Sequence, residues 1–192
     1  MHGPSEFSSG GPLPYPSGTL TRMDILIRPA VPADYEPLGE ITAQAYLRDG
    51  LLLFGESDWY LEELKDVAKR ASAADVLVAT ENDDLLGGVT FVPSGGPLAD
   101  LARPGEAEIR MLAVAHAARG RGIGQALVQA CVDRASGVAT GVVLCTQPTM
   151  HTAHRIYERL GFTRAPERDW NPIPGDDFTL LTYELTLSTT RR

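Results

Sequence analysis

Leu112-Ala113-Val114-Ala115-His116-Ala117-Ala118-Arg119-Gly120-Arg121-Gly122-Ile123-Gly124-Gln125-Ala126-Leu127 runs from an apolar stretch, through alternate glycines, into a helical apolar period. The first N–H groups of a helix lack intrahelical partners. The helix dipole favours an anion in front of them. Glycines at 120, 122 and 124 remove side chains that would hold a ligand away, and Arg119 and Arg121 add positive charge. The pattern predicts a strand, a phosphate cradle and a helix. A Walker loop needs Gly-Lys-Ser/Thr, which this turn lacks. A dinucleotide fingerprint needs a third glycine three positions on, where the chain has Gln125 or Leu127. The glycines alone are equally compatible with a tight structural turn that holds nothing.

Working outward, residues 106–115 read as the strand before the turn. Ile123, Ala126, Leu127, Ala130 and Cys131 form the core stripe of the helix after it. Residues 142–146 are continuously apolar, as a centrally buried strand should be. Met150, Ala153, Tyr157 and Leu160 follow at helical spacing, and Gly161 closes that helix. Residues 178–187 alternate as a last strand. Upstream, residues 25–28 read as a strand. Pro32 and Asp34 open a helix with the stripe Leu38, Ile41 and Ala45. Ser57 is the expected N-cap of a second helix carrying Tyr60, Leu64, Val67, Ala68 and Ala71. Residues 76–79 and 85–92 are strands joined by a polar turn. A long Gly/Pro-rich connection over 93–104 follows, either functional or a mere excursion. The order predicts an α/β fold, with a mixed, mostly antiparallel sheet of about six to seven strands and about four helices. The step from 106–115 to 142–146 is a βαβ crossover candidate.

The chain has 192 residues, enough for one domain with a substantial core. Residues 1–22 are rich in Gly, Pro and Ser and read as a flexible leader or an arm foreign to the natural chain, with Met23 a candidate start. The domain is expected over 23–188, with a tail at 189–192. A net charge of -8 argues against a broad nucleic-acid surface. No apolar run reaches the length of a membrane span, so neither a nucleic-acid nor a membrane partner is expected. Cys131 and Cys145 lie in apolar segments and read as small buried hydrophobes in a reducing, cytoplasmic setting.

The residues around the turn resemble the coenzyme-A motif of the Gcn5-related N-acetyltransferases (the GNAT superfamily). The core pattern Arg/Gln-x-x-Gly-x-Gly/Ala falls on Arg119, Gly122 and Gly124. A second motif of that family, Ala-x-x-x-Tyr on a helix with a following Gly-Phe, falls on Ala153, Tyr157, Gly161 and Phe162. The resemblance covers about residues 24–187. It implies acetyl-CoA as acyl donor substrate, no metal, and a small-molecule or peptide amine acceptor. A homodimer is expected from the resemblance alone. It implies a splayed central strand pair, with the backbone of Leu112, Ala113 and Val114 holding the pantetheine arm. The pyrophosphate would then lie on the turn Arg119, Gly120, Arg121, Gly122, Ile123, Gly124 and Gln125.

Acylating an amine takes a base for the amine, a polarised thioester carbonyl and a proton for the departing thiolate. Glu106, Glu108 and Arg110 share one strand face. The resemblance places a base at Glu108, with Glu106 second, and the acid at Tyr157. A solvated or Arg110-paired surface glutamate and a core aromatic are the structural alternatives. Met150 stands where the family often carries Asn, which keeps a non-catalytic acyl-CoA-binding domain open as the alternative. A different acyl chain or a hydroxyl acceptor is a third reading. Leu51, Leu52, Leu53, Phe54, Trp59 and Tyr60 suggest an apolar acceptor wall, and residues 170–177 another lip. His151 and His154, with Glu158 nearby, read as exposed helix residues rather than metal ligands.

Overall fold

The computed structural model describes residues 25–173, 175 and 178–188. The expected leader at 1–22, the candidate start Met23 and the tail at 189–192 lie outside the described residues. A seven-stranded sheet forms the frame. Its elements are β1 (Leu26–Pro29), α1 (Pro32–Arg48), α2 (Tyr60–Lys65), α3 (Val67–Ala71), β2 (Asp75–Glu81) and β3 (Asp84–Val92). After these come β4 (Glu106–Val114), α4 (Ile123–Ala135), β5 (Gly141–Thr146), α5 (His151–Arg159), β6 (Thr163–Arg164) and β7 (Leu181–Thr186). The strand order is β1-β2-β3-β4-β5-β7-β6. Every neighbouring pair is antiparallel except β4 and β5, which are parallel and joined through α4. The expected mixed, mostly antiparallel α/β fold is the observed one.

Side-chain alternation divides the sheet between two cores. On β2, Leu77 and Ala79 join the larger core with Ile123, Leu127, Cys131, Val142 and Leu144. Val76 and Val78, on the opposite face, meet Leu38 of α1 and Val67 of α3. The turn between β2 and β3 places Asn82 and Asp83 at φ 48° and 71°, as a tight two-residue hairpin requires. Helix α5 ends in a Schellman motif, with Phe162 N–H donating to Tyr157 O and Gly161 N–H to Glu158 O.

Four local expectations are corrected. Ser57 closes a short 3-10 turn and does not cap α2. The carboxylate of Asp58 does so instead, accepting from Tyr60 N at 2.9 Å. The single second helix is two, because Asp66 breaks the chain and accepts from Lys69 N to start α3. The break changes the phase, so Leu61, Leu64, Val67 and Arg70 are buried and Ala68 is exposed. On α1 the buried face is Leu38, Gly39, Thr42 and Ala43, whereas Ile41 and Ala45 are only partly covered.

Small residues face inward on α1 because the helix lies close to its neighbours. A Cβ added at Gly39 would stand 2.5 Å from the carbonyl oxygen of Lys65 in α2. In an exposed helix, Gly→Ala stabilises by about 1 kcal/mol. Here the backbone contact reverses the sign, and Gly39→Ala should destabilise by about 1–3 kcal/mol in chemical denaturation.

Candidate functional site

Strand β4 changes character halfway along. Glu106 to Ile109 pair with Gly141 to Leu144 of β5, and the ladder ends at Ile109↔Leu144. On its other edge β4 stays with β3, where Gly88↔Ala113 is followed by Thr90↔Arg110. Three steps on β4 against two on β3 define a bulge. Met111 sits in it at φ 51°, a left-handed conformation that strains a side chain with a Cβ. Beyond the bulge, Leu112, Ala113 and Val114 run on towards the glycine turn with one edge on β3.

That turn has the predicted shape. Gly120 and Gly122 have φ of 79° and 81°, and a Cβ at either would meet nothing within 4 Å. Glycine is needed there for backbone conformation, and the space in front is open. Gly122 caps α4, and its carbonyl accepts Ala126 N at 3.0 Å. Gly124 is different, since a Cβ there would lie 3.3 Å from Ile156 Cδ1, so it sets the approach of α5 to α4. Both arginines are already paired. Arg119 makes a two-armed bridge to Asp49 at the end of α1, at 2.8 Å on each arm, and Arg121 pairs with Glu81 of β2. Arg159 donates to the side chain of Gln125.

Where β4 and β5 part, a cavity of about 400 Å³ opens. Glu108, Leu112 and Tyr157 all line it, whereas Ala113, Val114 and the turn 119–125 lie outside its lining. Arg110, Cys145 and Gln147 line it as well, with Leu51, Trp59, Tyr60 and Trp170. Of the expected apolar wall Leu51, Leu52, Leu53, Trp59 and Tyr60 line the cavity and Phe54 does not; of the expected lip Trp170, Pro172 and Ile173 line it, and residues 174, 176 and 177 lie outside the described residues. Tyr46, Asp100 and Gln147 were not legible in the sequence, because each reaches the cavity only through a tertiary contact. Gln147, for example, donates to Leu51 O at 2.7 Å and so ties the wall to the end of β5.

Glu108 is 2% exposed. Its Oε2 accepts from the amides of Asp100, Leu101 and Ala102 at 2.9, 2.8 and 3.0 Å. Its Oε1 lies 4.0 Å from Arg110 Nε. Burial pushes its carboxyl up, against the pull of those amides and of Arg110. Arg110 also bridges Asp100 at 2.6 Å and donates to Leu98 O. The long 93–104 connection is therefore pinned to the strand face that carries Glu108 and Arg110. Glu106 belongs to another cluster. It takes both arms of the buried Arg168, at 3.0 and 2.7 Å, and accepts Arg103 N. Burial would raise its carboxyl, but the hydrogen bonds from Arg168 and Arg103 outweigh that and hold it low.

Tyr157 is buried on α5, against the rings of Phe162 and Tyr183. Burial drives its hydroxyl far above the ordinary phenol range, so it stays protonated. Met150 occupies the N-cap of α5, where its sulfur accepts from Thr146 Oγ1 at 3.4 Å. Both cysteines are free thiols. Burial pushes Cys131 up to about 12 and Cys145 up to about 11. The Trp170 indole N–H lies beside Cys145 and offsets part of that shift without full hydrogen-bond geometry. His154 contacts Gln147 O at 3.0 Å, and burial lowers its pKa. Among the described residues, no group of three or more His, Cys, Asp or Glu could hold a metal ion.

A parallel strand pair that parts beside a glycine-capped helix is what the resemblance to the N-acetyltransferases implies. The acetyltransferase (GNAT) family model matches residues 41–162, and the chain belongs to that family. Similar solved structures include yncA of Salmonella typhimurium with its cofactor acetyl-CoA (21% identity, TM-score 0.64, 85% of this chain and 94% of that one). Another is NAA60 of Arabidopsis thaliana in complex with a bisubstrate analogue (24%, TM-score 0.64, 87% and 100%). A third is a GNAT family acetyltransferase of Brucella melitensis in complex with acetyl-CoA (22%, TM-score 0.57, 87% and 90%). These likenesses show the fold. Comparison with curated proteins yields no match. No described helix is long and apolar enough to cross a membrane.

The raised carboxyl of Glu108 has a sign that can be measured. Relative to Glu108→Gln, which keeps an oxygen for the three amides, the wild type has its full advantage below the unfolded glutamate pKa of about 4.3. That advantage should fade as pH rises through the higher folded value. Unfolding midpoints of the two proteins across pH 3–8 should therefore move in favour of the glutamine variant.

Proposed function

We propose that this chain transfers the acetyl group of acetyl-CoA to a primary amine by direct attack on the thioester. The observation that carries this reading is the opening between β4 and β5 beyond Ile109↔Leu144, with a protonated tyrosine and a buried carboxylate lining the same cavity. The backbone of Leu112, Ala113 and Val114 offers its free edge to the pantetheine arm. The turn Arg119–Gln125 receives the pyrophosphate on its open amides, with Arg119 and Arg121 exchanging their carboxylate partners for phosphate oxygens.

Glu108 is the general base in this reading. The three amides fix the carboxylate through Oε2 and leave Oε1 to accept a proton, directly or through a water. Its upward shift brings it closer to the pH at which the proton must move. The neutral amine attacks the thioester carbon, the C–S bond breaks, and Tyr157 protonates the thiolate as it leaves. Glu106, bound to Arg168, has no part in this. Met150 supplies no polar contact to the coenzyme, and the strand edge and the turn carry binding without it. We place the protein in a reducing, cytoplasmic setting on its two unpaired thiols in apolar segments, and a homodimer on family resemblance.

Acetyl-CoA at about 100-fold over its Kd should add about 2.7 kcal/mol of stability, or roughly 5–10 °C in the unfolding midpoint, and NAD should add none. No shift at millimolar acetyl-CoA would make the glycine turn structural. In amine-dependent thiol release, Tyr157→Phe should lower kcat by about 10²-fold while leaving the thermal shift intact. Glu108→Gln should lose about as much at pH 7 and recover as pH approaches the pKa of the amine.

A further inference from the structure

The charge and lining of the cavity point to one class of acceptor. Resting on the acetyltransferase reading above, we infer that the acceptor is a primary amine carried on an apolar, aromatic body without a carboxylate. Leu51, Leu52, Trp59, Trp170, Ile173 and Phe178 all line the space. Trp59 is 67% exposed at the mouth with its edge on Tyr60, so apolar surface continues outwards to meet an incoming ring. A volume of about 400 Å³ is in the range of small-molecule sites.

Charge decides against an amino acid. The described lining carries four carboxylates, Asp58, Glu63, Asp100 and Glu108, and one guanidinium, Arg110. A carboxylate on the acceptor would need Arg110. That guanidinium is already held by Asp100 at 2.6 Å and by Leu98 O, with Glu108 at 4.0 Å. Two carboxylates thus face one guanidinium, and a third would enter a cavity of its own sign. Arg70 is the next cation behind Tyr46 and Tyr60, but it donates to Glu63 O and Leu64 O and does not line the space.

Charge also decides against a polyamine. A second ammonium would have to share a carboxylate that already has a partner. Asp58 accepts from Phe54 N and Tyr60 N, and Glu63 holds Lys69 at 2.8 Å. Asp100 holds Arg110 through Oδ2, and Glu108 caps three amides through Oε2, which leaves its Oε1 for the reacting amine. The net sign of the cavity favours an ammonium, the partners already held leave one open oxygen facing the reacting amine, and the lining offers hydrophobic contact for the rest of the molecule.

The test is thiol release from acetyl-CoA with 2-phenylethylamine, L-phenylalanine, ethylamine and spermidine as acceptors. Phenylalanine differs from phenylethylamine only by the carboxylate, and ethylamine only by the ring. Phenylethylamine should exceed phenylalanine in kcat/KM by on the order of 100-fold, and ethylamine by at least about tenfold. Asp100→Asn, which leaves Arg110 a neutral neighbour, should narrow the gap to phenylalanine by about tenfold. Phenylalanine, ethylamine or spermidine used as well as phenylethylamine would overturn the acceptor class and leave the transferase reading standing. No thiol release with any amine, while acetyl-CoA still raises the unfolding midpoint, would overturn both.

Discussion

The parting of β4 from β5 is the constraint around which the molecule is organised. Backbone N–H and C=O groups in a protein interior must find partners. Residues Glu106 to Ile109 find theirs on β5, and the next residues of β4 leave that ladder. The bulge at Met111 turns the strand at that point, and its left-handed backbone costs about 1–2 kcal/mol. Such a conformation survives only where its surroundings impose it. Here the antiparallel ladder to β3 and the helix that follows the turn impose it, and the released edge is left facing a cavity.

A second layer of polar contacts keeps that opening in shape. Glu108 and Arg110 hold the 93–104 connection from below, and Glu106 ties Arg168 to the same strand. Arg168 reaches Glu184 of β7 and Leu101 O as well, so strand, connection and the segment leading to Trp170 share one buried cation. Buried ion pairs add little net stability, but losing one partner leaves a stranded charge and costs about 3–5 kcal/mol. Their effect here is positional. They fix which loop backs the cavity and which face of Glu108 is left unoccupied.

Much of this could be read from sequence because much of it is local. The glycine turn, the helix α4 and the Ala153–Tyr157–Gly161 pattern each occupy a few turns of chain and appear where they were expected, although the buried face of α4 is Ile123, Gly124, Leu127, Val128, Cys131 and Ala135, with Ala126 and Ala130 only partly covered. What escaped was non-local. The inward face of α1 is made of Gly39, Thr42 and Ala43, which hydrophobicity does not mark; only the nearness of α2 explains them. Asp66 breaks a helix through one carboxylate–amide bond that an apolar count does not see. The two-residue β6 is defined only by its pairing with β7. Glu108 was legible as a carboxylate on the right strand face, but its three amide partners lie in a connection with no periodicity.

The ion pairs at the glycine turn bear on selectivity towards everyday anions. With Asp49 on Arg119 and Glu81 on Arg121, both arginines of the turn meet solution with a carboxylate already attached. A lone inorganic anion would have to displace a tethered carboxylate for one or two hydrogen bonds, a poor exchange against a partner of high local concentration. A ligand that is also gripped along the strand edge brings its own tether and competes on equal terms. On the proposed function, the acidic residues would act as a filter that turns away a lone anion and yields to a molecule long enough to hold on elsewhere.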